Sequence, residues 1–362
     1  MISGARVTVD TDALVSNADK LSALLGELFF VVKSDAYGHG LERCVRTLSL
    51  SGRHRFAVYS LSEALAVRKN DALSEILILG RTPIKYTDLL VENGFIQTVF
   101  SKEYLDSIRS EANGLRVHIK INTGMNRCGF PCDADEVKNS FSGFRGSVEG
   151  VYTHFHGADC EDLATTLSEL GAFERVADLL DGFFGKRLLH HAAASAAALR
   201  IPSARLDASR IGLALYGIAP DFCDGAFLRP VMAFTAPVVA VNRVKKGENI
   251  GYGCDHTAKN DMMIATISAG YGNGLPRLLE GRLRPSIDGA EAPFAARICM
   301  DRCMLDVTPH FCNGNAVKIG DEVCFFGSGR KIKEFSDAEG TVPYEVLTRV
   351  GAMNKRVYEK GG

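Results

Sequence analysis

The 362-residue chain is predicted to be an α/β protein, a (β/α)8 barrel of the TIM type followed by a mainly β C-terminal domain. Two observations predict it. Up to about residue 215, short apolar runs alternate with amphipathic stretches of helical period. Beyond residue 221, strand-like runs are instead separated by Gly, Pro, Asn and Asp turns. We therefore place the barrel at residues 1–221 and the β domain at residues 222–362.

Eight apolar runs are the predicted barrel strands, because each is short and adjoins a stretch of helix length. They are FFVVK (29–33), RFAVYS (55–60), EILILG (75–80), IQTVF (96–100), RVHIKIN (116–122), VEGVYTHF (148–155), RLLHHA (187–192) and a last strand near 205–210. Ser60 and Glu63 have capping-box spacing, which predicts that a helix begins there. A doubly wound open sheet is the structural alternative, but it needs fewer units and usually a nucleotide-binding loop.

The composition favours a small ligand. The net charge is -1, so nothing electrostatic favours nucleic acid or an acidic membrane surface. The N-terminus lacks the apolar core of a signal peptide, and the longest apolar runs are too short for a membrane span. The ten cysteines lack zinc-site spacing, which predicts thiols in a reducing, cytoplasmic setting.

Six basic side chains fall at the C-terminal ends of predicted strands, where the active sites of such barrels lie. They are Lys33, Lys120, Arg127, His154, His191 and Arg210. Taken singly, each has an ordinary explanation, as a solvated strand end or as a hydrogen-bonded core histidine. Their shared location at one end of the barrel predicts an active site there.

The loops after strands seven and eight are the usual phosphate site of a barrel. Ser195 begins an alanine-rich helix in the first loop, and Gly212 and Leu213 lie in the second. Each loop alone is weak evidence, because a serine N-cap is common. A buried lysine opposite a phosphate site is, however, what pyridoxal phosphate (PLP) requires.

Nearly the whole chain, from about residue 5 to 358, resembles the alanine racemase family in the order and spacing of its motifs. The motifs are VVKSDAYGHG, HIKINTGMNRCGF, THF, HxxxS at 191–195, RIGLALYG, IGYG, GYGNGLPR, ICMD and PYEVL. The resemblance implies a PLP-binding barrel with a β domain, and a cytoplasmic isomerase that supplies D-alanine for peptidoglycan. It also implies a homodimer in which the β domain of one subunit completes the active site of the other.

The resemblance also implies how the cofactor is held. Lys33 would carry PLP covalently, Arg210 would face the pyridine nitrogen, and His154 and His191 would lie beside the ring and Arg210. The phosphate ligands would be Tyr37, Ser195, Gly212, Leu213 and Tyr344. Arginine cannot accept a proton, so the ring should stay unprotonated and be a weaker electron sink. This favours a racemase over a decarboxylase, which has a carboxylate at that position.

Two acid/base groups suit racemisation, because a proton must leave one face of Cα and return on the other. By the resemblance, Lys33 would serve one face and Tyr252, acting from the other subunit, the second. A free tyrosine has a pKa of about 10, so the phenolate would need nearby positive charge such as the His154–Arg210 group. The substrate would be a small amino acid, bound by Arg127 and by an entrance formed by Tyr271, Met300 and Asp301.

Lys120 poses a separate question, because its charge would lie close to that of Arg127. Family members often carry a carbamylated lysine here, and we expect the same of Lys120. The resulting anion would orient Arg127 toward the phenolic oxygen of the cofactor or the substrate carboxylate.

Several positions depart from the usual family pattern without removing a principal catalytic group. They are Asn122, Asn126, Ala194, Arg302 and the run Cys254-Asp255-His256 after IGYG. Because of them, serine or a wider range of amino acids stays open as substrate. A PLP-dependent decarboxylase and a PLP carrier that is not an enzyme also stay open. A protein of another class, a metal-dependent barrel hydrolase, would use His154, His156 and Lys120 with Asp159 and His191.

Overall fold

The structure is a computed structural model that describes residues 4–223, 225–327 and 329–360. Residues 1–3 and 361–362, at the outer ends of the two predicted domains, lie outside it. In chain order its strands are β1 (Arg6–Asp10), β2 (Leu28–Val31), β3 (Arg55–Val58), β4 (Glu75–Ile78), β5 (Ile96–Val99), β6 (Arg116–Asn122), β7 (Phe130–Pro131), β8 (Ser147–Tyr152), β9 (Leu189–His191), β10 (Ser209–Ile211), β11 (Met232–Val244), β12 (Met262–Ile267), β13 (Ser286–Ile287), β14 (Ala290–Glu291), β15 (Cys303–Asp306), β16 (Glu322–Phe326) and β17 (Lys355–Glu359).

The α-helices lie mainly between the strands of the first two thirds of the chain. They span Thr11–Leu25, Leu41–Leu50, Leu61–Asn70, Thr87–Glu92, Lys102–Ile108, Ala134–Phe141, Ala164–Phe184, Ser195–Arg200, Thr308–Cys312, Ile332–Glu339 and Pro343–Met353. Within the described ranges, none of them combines the length and the apolar composition needed to cross a membrane. By its internal contacts the chain divides into two compact units.

The first unit, formed by Ala13–Ala36 and Leu41–Arg229, is the barrel. Its eight main strands are parallel and follow the order β10-β2-β3-β4-β5-β6-β8-β9. Two backbone bonds link the last strand region to the first: Asp207 N to His190 O at 3.1 Å and Arg210 N to Ala193 O at 2.9 Å. All eight predicted strands are present, and the predicted fold class is confirmed.

Burial on both faces explains why these strands appear in the sequence as continuous apolar runs. All four residues of β2, LFFV, and all four of β5, IQTV, are buried, as expected for parallel strands covered by helices. The predicted capping box is also present, because Ser60 Oγ accepts from Glu63 N at 3.3 Å and Glu63 Oε2 accepts from Ser60 N at 3.1 Å.

The second unit is built on β11, a strand of 13 residues that pairs with β1, β12 and β16. Its core contains phenylalanine rings in contact: the centroids of Phe234 and Phe325 are 5.0 Å apart with the rings tilted, and those of Phe326 and Phe335 are 5.7 Å apart edge to face. These side chains are fully buried. The predicted mainly β architecture of the C-terminal region is therefore confirmed.

The N-terminal strand β1 does not lie in the barrel, to which the predicted domain ranges assign it. β1 pairs antiparallel with β11, with Arg6 opposite Thr235, and parallel with β17, with Arg6 opposite Lys355. It therefore belongs to the β unit. The physical reason is visible in its burial, which alternates along RVTVD, as in a strand with one covered face, whereas most residues of the barrel strands are buried.

A left-handed turn follows β2 and carries the lysine of interest. Ser34, Asp35, Ala36 and Tyr37 all have φ between 52° and 54°, a conformation that costs a residue with a side chain about 1–2 kcal/mol. Two side chains stabilise the turn: Glu63 Oε1 accepts from Ser34 N at 2.7 Å, and Asp35 Oδ1 accepts from the N–H of the Leu41–Leu50 helix start at 2.6 Å. The chain thus turns sharply directly after the strand.

Candidate active site

Lys33 lies at the start of this turn, two residues beyond the end of β2, and its side chain is half-buried. Burial lowers the pKa of Lys33, and the positive charges of Arg127, Lys120 and Arg210 lower it further. The carboxylate of Glu63 opposes them by raising the pKa. The amine is therefore closer to its neutral, nucleophilic form than an exposed lysine would be.

Lys120 lies on β6 and is 6% exposed. Its Nζ donates to Sγ of Cys128 at 3.0 Å. Burial is the largest cause of a lowered pKa at Lys120, and the charges of Arg127 and Arg210 act in the same direction. Cys128, which the sequence analysis did not single out, is thus the polar partner of this buried amine, while Arg127 next to it is exposed.

Arg210, on β10, is a buried cation held by backbone carbonyls. Its Nη2 donates to Thr153 O at 2.6 Å and to Ala192 O at 2.9 Å, and its Nη1 donates to His191 O at 2.9 Å. Burial lowers the pKa of Arg210 to about 10, so the guanidinium remains charged at neutral pH. In the described part of the chain, its hydrogen bonds use Nη1 and Nη2, and its Nε–H remains for a ligand.

Three histidines extend the contacts of Arg210. Nη1 donates to His191 Nδ1 at 2.8 Å, and Nη2 to His154 Nδ1 at 3.3 Å. Because a guanidinium only donates, His191 carries its proton on Nε2, which lies 2.9 Å from Nδ1 of His118. His118 therefore accepts at Nδ1. The arginine, which can only donate, thus sets the direction of both hydrogen bonds in the series Arg210–His191–His118.

These imidazoles are neutral at physiological pH. Burial is the largest cause, and with the positive charge of Arg210 it lowers the pKa of His154 to about 3. Burial, with the charges of Arg116 and Arg55 and a smaller contribution from Arg210, also lowers the pKa of His118 to about 3. Burial and the charge of Arg210 lower the pKa of His191 well below its ordinary value. The site therefore presents a cation at Arg210 surrounded by uncharged rings.

Two members of this group were not predicted, His118 and Tyr152. The ring of Tyr152 stacks on His191, with centroids 4.7 Å apart and an angle of 13°, and Arg210 Cζ lies 4.9 Å from its centroid. Burial raises the pKa of Tyr152 to about 12, so it is a neutral phenol. Alternation along β6 could have found His118, because residues two apart in a strand, such as His118 and Lys120, face the same side.

The two predicted phosphate loops meet. Ser195, buried at the start of its helix, accepts at Oγ from Ala214 N at 3.3 Å. Gly212 and Leu213 immediately precede that nitrogen, at the start of the 3₁₀ turn Leu213–Tyr216. The structure thus places one hydroxyl and the N-terminal end of a tight turn side by side.

Tyr37 and Tyr344, the other predicted phosphate ligands, come together within the β unit. Burial, with a smaller contribution from Tyr344, raises the pKa of Tyr37 to about 12. The next residue, Gly38, must be a glycine. Its φ is +83°, and a Cβ there would lie 2.3 Å from the carbonyl oxygen of Leu347. This close approach fixes the segment after Tyr37 against the helix Pro343–Met353.

The four remaining predicted residues, which the sequence assigned to proton transfer and the substrate entrance, line one cavity of about 660 Å³ in the β unit. They are Tyr252, Tyr271, Met300 and Asp301. Three arginines, Arg277, Arg297 and Arg302, also line this cavity. Tyr252 is 74% exposed, in contrast to the buried groups of the barrel.

The donor set of the barrel fits PLP. The charges of Arg127 and Arg210 lower the pKa of both Lys33 and Lys120, and the main charge that raises the pKa of Lys33 is the carboxylate of Glu63. A group with this excess of positive charge suits a ligand that carries a phosphate and a carboxylate. The nucleophilic amine and the free Nε–H of Arg210 supply the two further contacts that an aldehyde and a pyridine nitrogen need.

The metal-site alternative finds no support in the geometry. Nδ1 of His154 and Nδ1 of His191 both accept from the Arg210 guanidinium, a cation that would repel a metal ion. Among the described residues, the group with metal-ligand geometry is Asp178, Asp181 and His190. Arg187 already forms ion pairs with both of those carboxylates, at 3.7 and 2.9 Å.

Sequence comparisons agree with this geometry. A sequence model of the alanine racemase N-terminal domain matches residues 9–220, and one of the C-terminal domain matches residues 231–358. The chain belongs to the alanine racemase family. The predicted resemblance is confirmed, and with it the enzyme class, an isomerase, and the cofactor, since the family depends on PLP.

Named relatives resemble the chain over almost their full length. Alanine racemase 1 of Clostridium acetobutylicum is 32% identical over 98% of this chain and 95% of its own, and the alanine racemase of Desulfovibrio desulfuricans is 34% identical over 97% and 96%. The solved alanine racemase of Clostridium difficile superposes with a TM-score of 0.90 at 29% identity, covering 99% of this chain and 97% of its own. The Bacillus anthracis enzyme with bound L-Ala-P gives 0.89 at 29% identity, covering 100% and 96%.

Proposed function

We propose that this protein is a PLP-dependent racemase that interconverts L- and D-alanine. The observation that carries the proposal is Lys33, an amine with a lowered pKa that lies between Arg127, Lys120 and Arg210 at the C-terminal end of the first barrel strand. The names of the relatives support alanine as the substrate.

The cofactor would be held at both ends. Lys33 would hold the aldehyde carbon through its nitrogen, and Arg210 would donate its Nε–H to the pyridine nitrogen. The phosphate would be bound by Tyr37, Ser195, Gly212, Leu213 and Tyr344. When bound, PLP supplies an electron sink that makes the Cα proton of an amino acid acidic.

Lys33 and Tyr252 would move the proton. Lys33, whose amine is shifted toward its neutral form, can take a proton from Cα on one face and return it. Tyr252 would do the same on the opposite face. Arg210, a donor that cannot accept a proton, would keep the pyridine nitrogen unprotonated, which limits side reactions of the carbanion. His154 and His191, both neutral, hold Arg210 in position without competing for protons.

Arg127 would bind the substrate carboxylate, and Lys120 would orient it. The lowered pKa of Lys120 favours the neutral amine, which is the form that reacts with CO₂ to give a carbamate. We propose that Lys120 is carbamylated and that the resulting anion directs Arg127. A high-resolution density map with a bare ammonium at Lys120 would contradict this.

Tyr252 would act on a second copy of the chain. Its 74% exposure, together with an open cavity that Tyr271, Met300 and Asp301 also line, supports a homodimer with shared active sites.

The ten cysteines are all free thiols, which supports a cytoplasmic location. D-Alanine for peptidoglycan is the product that we propose the cell uses.

One preparation tests the proposal. The purified protein should be yellow from bound PLP, borohydride should fix the label on Lys33, and the protein should racemise L-alanine faster than L-serine. A colourless protein with stoichiometric zinc would contradict the cofactor. A yellow protein that does not racemise either amino acid would contradict the activity.

A further inference from the structure

The loop that presents Tyr252 is a tight excursion closed by short contacts. Ile250 N donates to His256 O at 2.8 Å, and Thr257 Oγ1 donates to Asn249 Oδ1 at 2.9 Å. Between these closing contacts the backbone is left-handed at three positions, Gly251 (φ 72°), Gly253 (φ 91°) and Cys254 (φ 54°). The conformation of this loop, and not side-chain packing, determines where the exposed ring of Tyr252 lies.

Two side-chain contacts fix the loop directly after the tyrosine. Asp255 pairs with Arg297, and His256 Nε2 lies 2.7 Å from Glu280 Oε1. The first pair lies against the tyrosine's own neighbour, because a Cβ on Gly253 would lie 2.9 Å from Arg297 Nη1 and 3.2 Å from Asp255 Oδ2. Arg297 also lines the same cavity as Tyr252.

We propose that Asp255 and His256 are positioning residues for Tyr252, holding its loop so that the phenol oxygen meets Cα. The inference rests on the proposed acid/base role of Tyr252. These two residues occupy the run in which the sequence departs from the usual family pattern, and each of them contacts a charged side chain, Asp255 that of Arg297 and His256 that of Glu280. Both pairs are partly exposed, so their contribution to global stability is small, and their effect falls on placement.

The rate of a proton transfer depends strongly on the position of the group that transfers the proton. A misplacement of about 1 Å can cost about 10²-fold in rate. We therefore expect Asp255→Asn, which keeps the shape but removes the charge, to lower kcat by about 10- to 100-fold while KM changes less than twofold. His256→Ala should act in the same direction, and His256→Gln, which retains a hydrogen-bond donor opposite Glu280, should recover most of the rate.

The decisive measurement is the primary isotope effect with α-deuterated D-alanine and α-deuterated L-alanine on the holoenzyme. Tyr252→Phe should raise it for one enantiomer only, since one of the two bases is weakened. Asp255→Asn should raise it for the same enantiomer. Asp261→Asn is the matched control, because it removes an exposed ion pair with Arg243 in the same unit, and it should leave rate and isotope effects unchanged.

Each outcome bears on a different claim. If Tyr252→Phe has a one-sided isotope effect and Asp255→Asn and His256→Ala have none, the positioning inference is wrong and the proposed function stands. An equal rise for both enantiomers in Asp255→Asn would also overturn it, because that result indicates general damage. If Tyr252→Phe racemises at the full rate, the acid/base role of Tyr252 and the positioning inference both fail.

Discussion

The barrel site and the Tyr252 cavity are built on opposite principles. In the barrel, Arg210 is 4% exposed and its guanidinium is held by carbonyls and neutral histidines. In the β unit, Tyr252 is 74% exposed and Met300 is 56% exposed. Burial sets the proton affinity of the first region, while the backbone conformation of a loop and the contacts that hold it set the position of the second.

This difference suggests a division of labour. Under the proposed function, the buried, charged site would bind the cofactor and tune it, since its pKa shifts follow from desolvation and from fixed neighbours. In the proposed homodimer, the exposed tyrosine would become effective only when the substrate side of a second copy covers it. Changes in the barrel should therefore affect cofactor binding and activity together, and changes in the cavity should affect activity alone.

The largest expected effect tests the barrel half of that comparison. Lys33→Ala should bind no PLP covalently and should lose about 10⁴-fold in racemisation, the upper end for a positioned acid/base group. Absorbance and the rate of D-alanine formation measure both. Lys102→Ala, which removes an exposed lysine paired with Asp106, is the control. Retention of colour and activity in Lys33→Ala would break the comparison.

The next effect tests the cavity half. Tyr252→Phe should keep the colour of the wild-type protein and lose about 10²–10³-fold in racemisation, because only the hydroxyl proposed to carry the proton is removed. In this variant the rate should therefore fall while the absorbance of bound PLP is retained, whereas in Lys33→Ala both should fall. A loss of colour in Tyr252→Phe would mean that the two regions are not separable in this way.

A smaller effect concerns stability. His118 has a pKa of about 3 in the folded protein and 6.5 as its ordinary value, so the unfolded state binds its proton first as the pH falls. The free energy of unfolding should therefore decrease as the pH falls from 6.5 toward 3, by up to about 1.4 kcal/mol per pH unit for this residue. Urea denaturation at pH 7, 6 and 5 measures the slope.

His118→Asn is the matched variant for that slope, since an amide oxygen can still accept from His191. It should flatten the dependence by the contribution of one histidine. Equal slopes in the variant and the wild type would show that His118 does not report the desolvated barrel interior.

The smallest expected effect concerns Lys120. With ¹³C-bicarbonate, the wild-type protein should show a carbamate carbon resonance that Lys120→Ala lacks. In CO₂-free buffer, the KM of the wild type for alanine should rise a few-fold, because Arg127 loses its orienting anion, and bicarbonate should restore it. If the two proteins give identical spectra, Lys120 is held by Cys128 alone.

The sequence predicted what depends on local pattern. The eight barrel strands are short and buried on both faces, so each appeared as an apolar run, and Lys33 and Arg210 could be located from the strand ends. The sequence assigned the N-terminal strand to the barrel and not to the β unit, because its partners, β11 and β17, lie more than 200 residues away in the chain. Alternation along RVTVD reports one covered face but not what covers it.

The sequence also could not predict which side chains contact one another in the folded protein. Tyr152 and Cys128 are ordinary residues in their own segments, and only folding brings them to Arg210 and Lys120. Alternation along β6 places His118 on the side of Lys120, but its partner His191 lies 73 residues away. The partners of Asp255 and His256 were unpredictable for the same reason. The left-handed run Ser34–Tyr37 could not be inferred either, because residues with side chains rarely adopt that conformation.

Glu63 shows how much can depend on one helix cap. In an ordinary capping box, Gln serves as well as Glu, because one oxygen is enough. Here one oxygen accepts from Tyr59 N and Ser60 N while the other accepts from Ser34 N, and the charge raises the pKa of Lys33. A substitution from Glu to Gln, conservative in most helices, would here release the left-handed turn and shift the proton affinity of Lys33. Tolerance to mutation at a surface helix end is thus set by the reactive lysine in the neighbouring loop.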